Sequence, residues 1–356
     1  MDKENYNVIG VMSGTSLDGI DLAHIHFTLH RDTWNFEILE CQTVPYPDDW
    51  FLALKRAVSF SDDELLQLNI DYTKLLGGII KSFISDNNIE HIDAVCSHGH
   101  TILHQPQNGL TLQIGNLPEI AAIIGETVVC NFRVDDVKLG GQGAPLVPIG
   151  DRMLFPGYDY CLNLGGFSNV SFEQDGKRIA FDISPVNTVL NFYADLLGLD
   201  YDDKGEIAKS GQVDLDLLSE LNSLDFYQKT WPKSLGFEFV KETILPIIDG
   251  FDIPIEDILR TFTEHVAIQI ASALPRKTGK ILVTGGGAYN DFLIERMEFH
   301  LPEMQIEIPS QKILEFKEAL IFALLGVLKL RGEINVLSSV TGARNDHSSG
   351  KIYQPE

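Results

Sequence analysis

Gly14, Thr15, Ser16 and Asp18 lie together in the run Asn7–Asp21, NVIGVMSGTSLDGID, where an apolar strand meets a small polar turn and then a second strand. A turn of Gly, Ser and Thr offers backbone N–H groups and hydroxyls without bulk, which is what phosphate oxygens need. Asp18 and Asp21 flank it, and a carboxylate there can hold Mg²⁺ directly or through water. An ordinary hairpin turn has the same composition. The pattern gains weight because it recurs about 155 residues further on, a domain-scale spacing. There CLNL runs into GGFSN and out into VSF, which singles out Gly165, Gly166 and Asn169. A third turn, in KILVTGGGAYN, sets Gly285, Gly286 and Gly287 after a strand and Asn290 near the start of a helix. None of these runs is a GxxxxGK[ST] loop or a GxGxxG fingerprint.

Other residues can do chemistry on a bound molecule. Asp182 ends the run RIAFD, beside a helix start, and is either a general base or a cap for that helix. His98 and Thr101 lie in Ser97-His98-Gly99-His100-Thr101, expected at the C-terminal end of a buried strand, where α/β folds place sites. The cluster reads equally as substrate-binding or structural, and no Cys or carboxylate at ligand spacing makes it a metal site. Arg133, at another strand end, suits a carboxylate or phosphate, or else a surface salt bridge to Asp135 or Asp136. Glu318 stands among Phe316, Leu320 and Phe322 and needs a partner, a task or a place on the surface.

The elements that must position these groups follow from pattern. Strands fit Tyr6–Met12, Leu22–Phe27 and Trp34–Thr43, an opening meander. A helix from Asp62 to about Asp86 has Ser61 as its cap and Glu64 three residues on. The Gly/Pro-rich stretch Gly140–Pro148 reads as an irregular loop, either a hinge or a substrate loop. In the second half, Pro185 suits the first turn of a helix through Val189, Phe192 and Leu196. Residues 198–240 are polar and weakly periodic, and a mobile substructure is expected there. Helices fit Ile255–Leu274, Asn290–His300 and Glu315–Arg331. Residues 1–150 and 151–319 are expected to be two α/β domains, with residues 320–356 packing back on the first. One phosphate hairpin per half and a later Gly-rich turn form the plan of the actin-like, hexokinase-like (ribonuclease H-like) ATPases, in which two domains clamp one nucleotide in a cleft.

Composition narrows the partners. The 356 residues carry a net charge of −24, which argues against nucleic acid or an anionic membrane, since both need basic surface. An anionic substrate must be held by a few placed cations or backbone N–H groups. No apolar run reaches a membrane span, and the acidic start MDKENYNV has no signal core. The four cysteines lack CxxC spacing and read as small buried hydrophobes of a reducing cytoplasm.

With these residues in view, the chain resembles the anhydro-N-acetylmuramic acid kinases over nearly its whole length. GVMSGTSLDGID matches the family's opening signature. Ser97–Thr101, TLQIG, GGQGAPLVP, LNLGGFSN, TGGGAYN and NVLSSVTGA match later segments. The resemblance implies ATP and Mg²⁺ as cofactors, a homodimer, and a reaction that opens the 1,6-anhydro bridge and phosphorylates O6. It implies Asp182 as the base, the turns at Gly14–Asp18 and Gly165-Gly166 around the γ-phosphate, and Gly285–Gly287 with Asn290 at adenosine. Arg133 and Thr101 match positions around the sugar, and Glu318 matches the glutamate of the family's EA segment, which is expected to be substrate-binding. Departures fall on the sugar side. Ile183-Ser184 stand for Thr-Gly, Val186 is interposed before Asn187, Asn131 replaces an Asp, and Phe237 replaces the Arg of PKSTGRE. Three readings stand: the anhydro-sugar kinase, a kinase of the same fold acting on another sugar, and a nucleotide-binding member without turnover.

Overall fold

The computed structural model describes residues 3–14 and 17–355. In the first part of the chain, β1 (Asn5–Ser13), β2 (Ile20–His30) and β3 (Thr33–Val44) form an antiparallel meander. The crossover helix Asp62–Asp86 follows. Its start is the expected capping box: Ser61 Oγ accepts from Glu64 N, and Glu64 Oε2 accepts from Ser61 N at 2.8 Å. Leu65, Tyr72, Leu76, Ile80 and Phe83 make its buried stripe. The chain then returns as β4 (Ala94–Gln105), parallel to β1. β5 (Leu110–Ile114) folds back on the far end of β4, and β6 (Val128–Cys130) lies parallel to β4.

The plan is repeated further on. β7 (Tyr160–Leu164), β8 (Phe167–Gln174) and β9 (Lys177–Pro185) form a second antiparallel meander. β10 (Gly279–Thr284) and β11 (Met304–Glu307) join it in parallel on the β7 side. The order β3-β2-β1-β4-β6 in one sheet equals β9-β8-β7-β10-β11 in the other. β12 (Lys351–Tyr353) pairs antiparallel with β6 and closes the first sheet. The chain falls into two units, Met1–Leu154 with Phe316–Glu356, and Phe155–Glu315, each with its own core.

In the first unit the last long helix, Gln311–Arg331, lies from Phe316 onward against the sheet where glycines permit it. A Cβ on Gly10 of β1 would fall 2.0 Å from the Ala319 carbonyl oxygen, and one on Gly326 would fall 2.1 Å from Cys96 Sγ in β4. Gly326→Ala must therefore push helix and strand apart, at a cost of about 2–3 kcal/mol. The loss should appear as a lower midpoint in urea. Cys96, Cys130 and Cys161 are buried, as their apolar settings suggested, whereas Cys41 is only half-buried.

Several local expectations need correction. β4 does not end at His98–Thr101 but continues to Gln105, because β5 pairs with its second half and keeps the backbone hydrogen-bonded. Pro185 ends β9 and does not open the helix Asn187–Asp195, where Val186 is the cap residue. Residues 198–240 are laid out as short helices, Glu206–Ser210, Leu215–Asn222, Asp225–Gln228 and Phe237–Phe239, too brief to show a helical period. The Gly140–Pro148 loop passes directly into the helix Val147–Leu154.

Candidate active site

In the second unit the β7–β8 turn and the β10 turn meet. Thr284, Asn163, Asn169 and Asp182 stand opposite one another on β10, β7, β8 and β9, so they form one polar row on one face of the sheet. Asn163 sits between the two glycine turns. A Cβ on Gly285 would lie 2.6 Å from its Oδ1, and one on Gly165 would lie 3.2 Å from its Nδ2. The start of the helix Asn187–Asp195 packs on the same turn: Asn187 N donates to Gly165 O at 3.3 Å, and Thr188 Oγ1 donates to Gly166 O at 2.7 Å. Among the described residues a Cβ on Gly286 would meet only Asn187 Nδ2, at 3.8 Å, which leaves a cradle without side chains there. Asn290, by contrast, uses its Oδ1 to cap the helix Asp291–His300 through Leu293 N, at 2.9 Å.

Asp182 does not cap the helix that follows it. Its half-buried carboxylate is instead gripped by a distant strap. Leu235 N donates to Asp182 Oδ2 at 2.8 Å, and Asp182 N donates to Lys233 O at 3.2 Å. The strap is fixed by Trp231, stacked on Phe181 at 5.6 Å and 10°, and by Lys233, whose ammonium lies 4.6 Å from the Phe226 ring centre. Burial raises the Asp182 pKa above the ordinary aspartate value, and the Leu235 N–H pulls against it. One carboxylate oxygen is thus held, and the other belongs to a more basic group than a free aspartate. Ser184, one of the departures, is accommodated by Ser168, whose Oγ accepts from Ser184 N at 3.1 Å. Phe237, another departure, is 59% exposed, an apolar ring presented to water.

In the first unit β1 delivers Ser13 and Gly14 to the first turn; Thr15 and Ser16 lie outside the described residues. Asp18 is exposed, and Asp21 on β2 accepts from Thr43 Oγ1 at 2.6 Å through one oxygen. Among the described residues no group of three His, Cys, Asp or Glu gathers as a metal site. Behind the turn, Ser13 Oγ is 2.7 Å from His100 Nδ1 and 2.5 Å from Tyr46 OH, which is 2.6 Å from Tyr72 OH. Burial holds the His100 pKa down at about 4, so this chain of hydroxyls ends on a neutral ring.

Arg133 follows β6 and points inward, so the surface pairing with Asp135 or Asp136 does not occur. Its Nε donates to His98 Nε2 at 2.8 Å and its Nη1 to Gly143 O at 2.9 Å. Burial pulls its pKa down to about 10, with the Glu318 charge acting the other way. Glu318 lies on the exposed side of its helix. It is accessible to solvent yet closely surrounded by protein, and this crowding raises its pKa, with Arg133 opposing the rise and Asp21 adding to it. His98 itself is 3% exposed, with both ring nitrogens bonded within the protein, so it has no polar atom left for the direct substrate contact expected of it. Thr101 is half-buried and opposite Gln113 on β5, whose Nε2 donates to its Oγ1 at 3.4 Å. Asn163, Asn187 and the Leu235 strap escaped the sequence reading. The first two had a signal, a polar residue inside CLNL and one at the helix start after Pro185.

A three-stranded meander continued by parallel strands, present twice and carrying a glycine hairpin each time, defines a two-domain ATPase of the actin-like, hexokinase-like class. The anhydro-N-acetylmuramic acid kinase family model matches residues 6–355. The chain belongs to that family. It is 35% identical to the anhydro-N-acetylmuramic acid kinase of Pseudomonas fluorescens, over 97% of this chain and 98% of that one. It is 34% identical to the enzyme of the same name from Mannheimia succiniciproducens, over 99% and 100%. The Bacillus cereus relative is 32% identical over 98% and 99%. Among solved structures, the activator of 2-hydroxyisocaproyl-CoA dehydratase from Clostridium difficile aligns over 91% of this chain and 96% of that one, with a TM-score of 0.44 and 13% identity.

Proposed function

We propose that this protein is an ATP-dependent sugar kinase that opens 1,6-anhydro-N-acetylmuramic acid with water and phosphorylates O6, giving N-acetylmuramic acid 6-phosphate for peptidoglycan recycling. The observation that carries this reading is Asp182, a carboxylate of raised basicity held by one oxygen in the row that leads to the glycine turns. Its free oxygen takes the proton from the water that attacks the anomeric carbon. The C1–O6 bond breaks, its electrons pass to O6, and O6 attacks the γ-phosphorus as ADP leaves. The turn at Gly165-Gly166 and the turn at Gly14–Asp18 serve the phosphate oxygens, small polar turns being suited to that role through backbone N–H groups. The open cradle at Gly286 suits the nucleoside, with Gly285, Gly287 and Asn290 shaping it. Arg133, Thr101 and Glu318 serve the sugar.

Asp18 and Asp21 would hold Mg²⁺, which usually takes one or two carboxylates together with phosphates and would supply charge neutralisation. The fit is to an open pair of carboxylates rather than a closed protein cage. A cytoplasmic setting and a homodimer belong to the same reading, the latter checked by sedimentation.

The test is phosphoryl transfer from Mg-ATP to the anhydro-sugar, with the product identified as the 6-phosphate. Because the base works ionised and its pKa is raised, kcat/KM should fall on the acid side through a pKa above the ordinary aspartate value of about 3.9. A limb at or below that value would remove Asp182 from the role. Phe237 in place of a cation favours a second reading, a kinase for a sugar without the lactyl carboxylate. Faster turnover of such a sugar than of the anhydro-muramic substrate would select it.

A further inference from the structure

We infer that His98 is a positioning residue, a hydrogen-bond acceptor that fixes the guanidinium of Arg133 and does not itself touch substrate. The inference rests on the kinase reading for its assay but not for its geometry. Arginine donates and never accepts, so His98 Nε2, 2.8 Å from Arg133 Nε, must be the acceptor. The ring proton then sits on Nδ1, which donates to Gly99 O at 2.9 Å. Each nitrogen thereby has one partner, and one tautomer satisfies both. The ring is pressed on Phe322, centroid to centroid 4.6 Å, and its own carbonyl accepts from Asn116 Nδ2 at 3.0 Å. Neither rotation nor a flip of the imidazole is free.

A second hold comes from the Gly140–Pro148 loop. Arg133 Nη1 donates to Gly143 O, and Gly143 N donates to Asp136 Oδ2 at 2.7 Å. Asp136 is fully buried and also accepts from Thr341 Oγ1 at 2.7 Å. A Cβ on Gly141 would fall 2.2 Å from Asp136 Oδ2, so the loop closes over that carboxylate only as glycine. Arg133 is therefore held at Nε and at Nη1, and Nη2 with the second Nη1 proton remains for an anion. Preorganisation of this kind lowers the entropy lost when a charged ligand is bound.

The experiment compares His98→Leu, which removes the acceptor, with His98→Gln, whose Oε1 restores one near the Nε2 position, each alone and combined with Arg133→Ala. With folding checked by circular dichroism, His98→Leu should lower kcat/KM for the sugar by about 10–100-fold and leave KM for ATP unchanged, the range expected when a supporting hydrogen bond to a ligand-holding group is lost. His98→Gln should recover most of that loss, and the double variant His98→Leu/Arg133→Ala should be no worse than Arg133→Ala alone. Losses that multiply in the double variant, or no recovery with Gln, would place His98 on the substrate and overturn the inference. Imidazole ¹⁵N NMR reads the same claim without turnover. It should find Nδ1 protonated and Nε2 bare at neutral pH, and a protonated Nε2 would sink the inference even if the kinase reading stands. An inactive wild type with the expected tautomer would instead remove the kinase reading and leave the Arg133 clamp.

Discussion

Asp182→Asn should slow turnover by ~10²–10⁴-fold, the usual worth of a placed general base, while Mg-ATP binds as before. Asparagine keeps the shape, and its Oδ1 can still accept from Leu235 N, so the strap at Trp231–Leu235 stays seated. What is lost is the ability to take a proton. The same change should not destabilise the protein. Burial raises the folded-state pKa of Asp182 above its unfolded value, so its contribution to stability is fully present below the unfolded pKa and is lost as pH rises through the folded one. At neutral pH the ionised carboxylate weighs against folding, and the neutral amide relieves it. A melting temperature equal to or above wild type, with turnover nearly gone, is the expected pair of results. A fall in melting temperature as large as the fall in rate would instead make Asp182 a structural residue.

Gly285→Ala should do the opposite, breaking structure first. Gly285 has φ 86° and ψ 164°, a region open essentially to glycine alone. A Cβ there would lie 2.6 Å from Asn163 Oδ1 and 2.8 Å from Leu164 O, the latter backbone that cannot step aside cheaply. Conformational strain and overlap together should cost about 3 kcal/mol or more, and nucleotide binding should go with it. Gly286→Ala is the matched control. Its Cβ would make only an ordinary contact at 3.8 Å with Asn187 Nδ2, so stability should hold while the methyl group intrudes on the open cradle and weakens ATP binding. If Gly286→Ala binds ATP like wild type, the nucleotide does not lie against this turn.

These two sites also mark what the sequence could reveal. The glycine turns were legible because their small residues interrupt apolar strands, and the Ser61–Glu64 cap because its two partners are three residues apart. The grip on Asp182 was not, since its partner lies 53 residues away in a segment with no period of its own. His98–Thr101 reads as a strand end because polar residues rarely continue a buried strand. Here β4 continues, since Ser13 and Arg133 satisfy His100 and His98 from neighbouring elements. Pro185 reads as a helix start. It ends β9 instead, opposite Phe167, where a missing N–H is tolerated at the last residue of the strand. Arg133 is legible as a donor near a strand end, but its inward direction depends on Gly143 and His98, which no local pattern connects.

The first unit is discontinuous in the chain, and that has a consequence for the order in which the nascent protein can fold. Domains fold largely as units while synthesis proceeds from the N-terminus. Residues 155–315 emerge from the ribosome as one uninterrupted stretch and can complete their sheet and core as they appear. The first unit must wait. Until residues 316–355 have been made, Gly10 and Cys96 lack the helix that rests on them, and β6 lacks its outer neighbour β12. The part synthesised first is therefore finished last, and the unit carrying Asp182 is the one that can be in place before it.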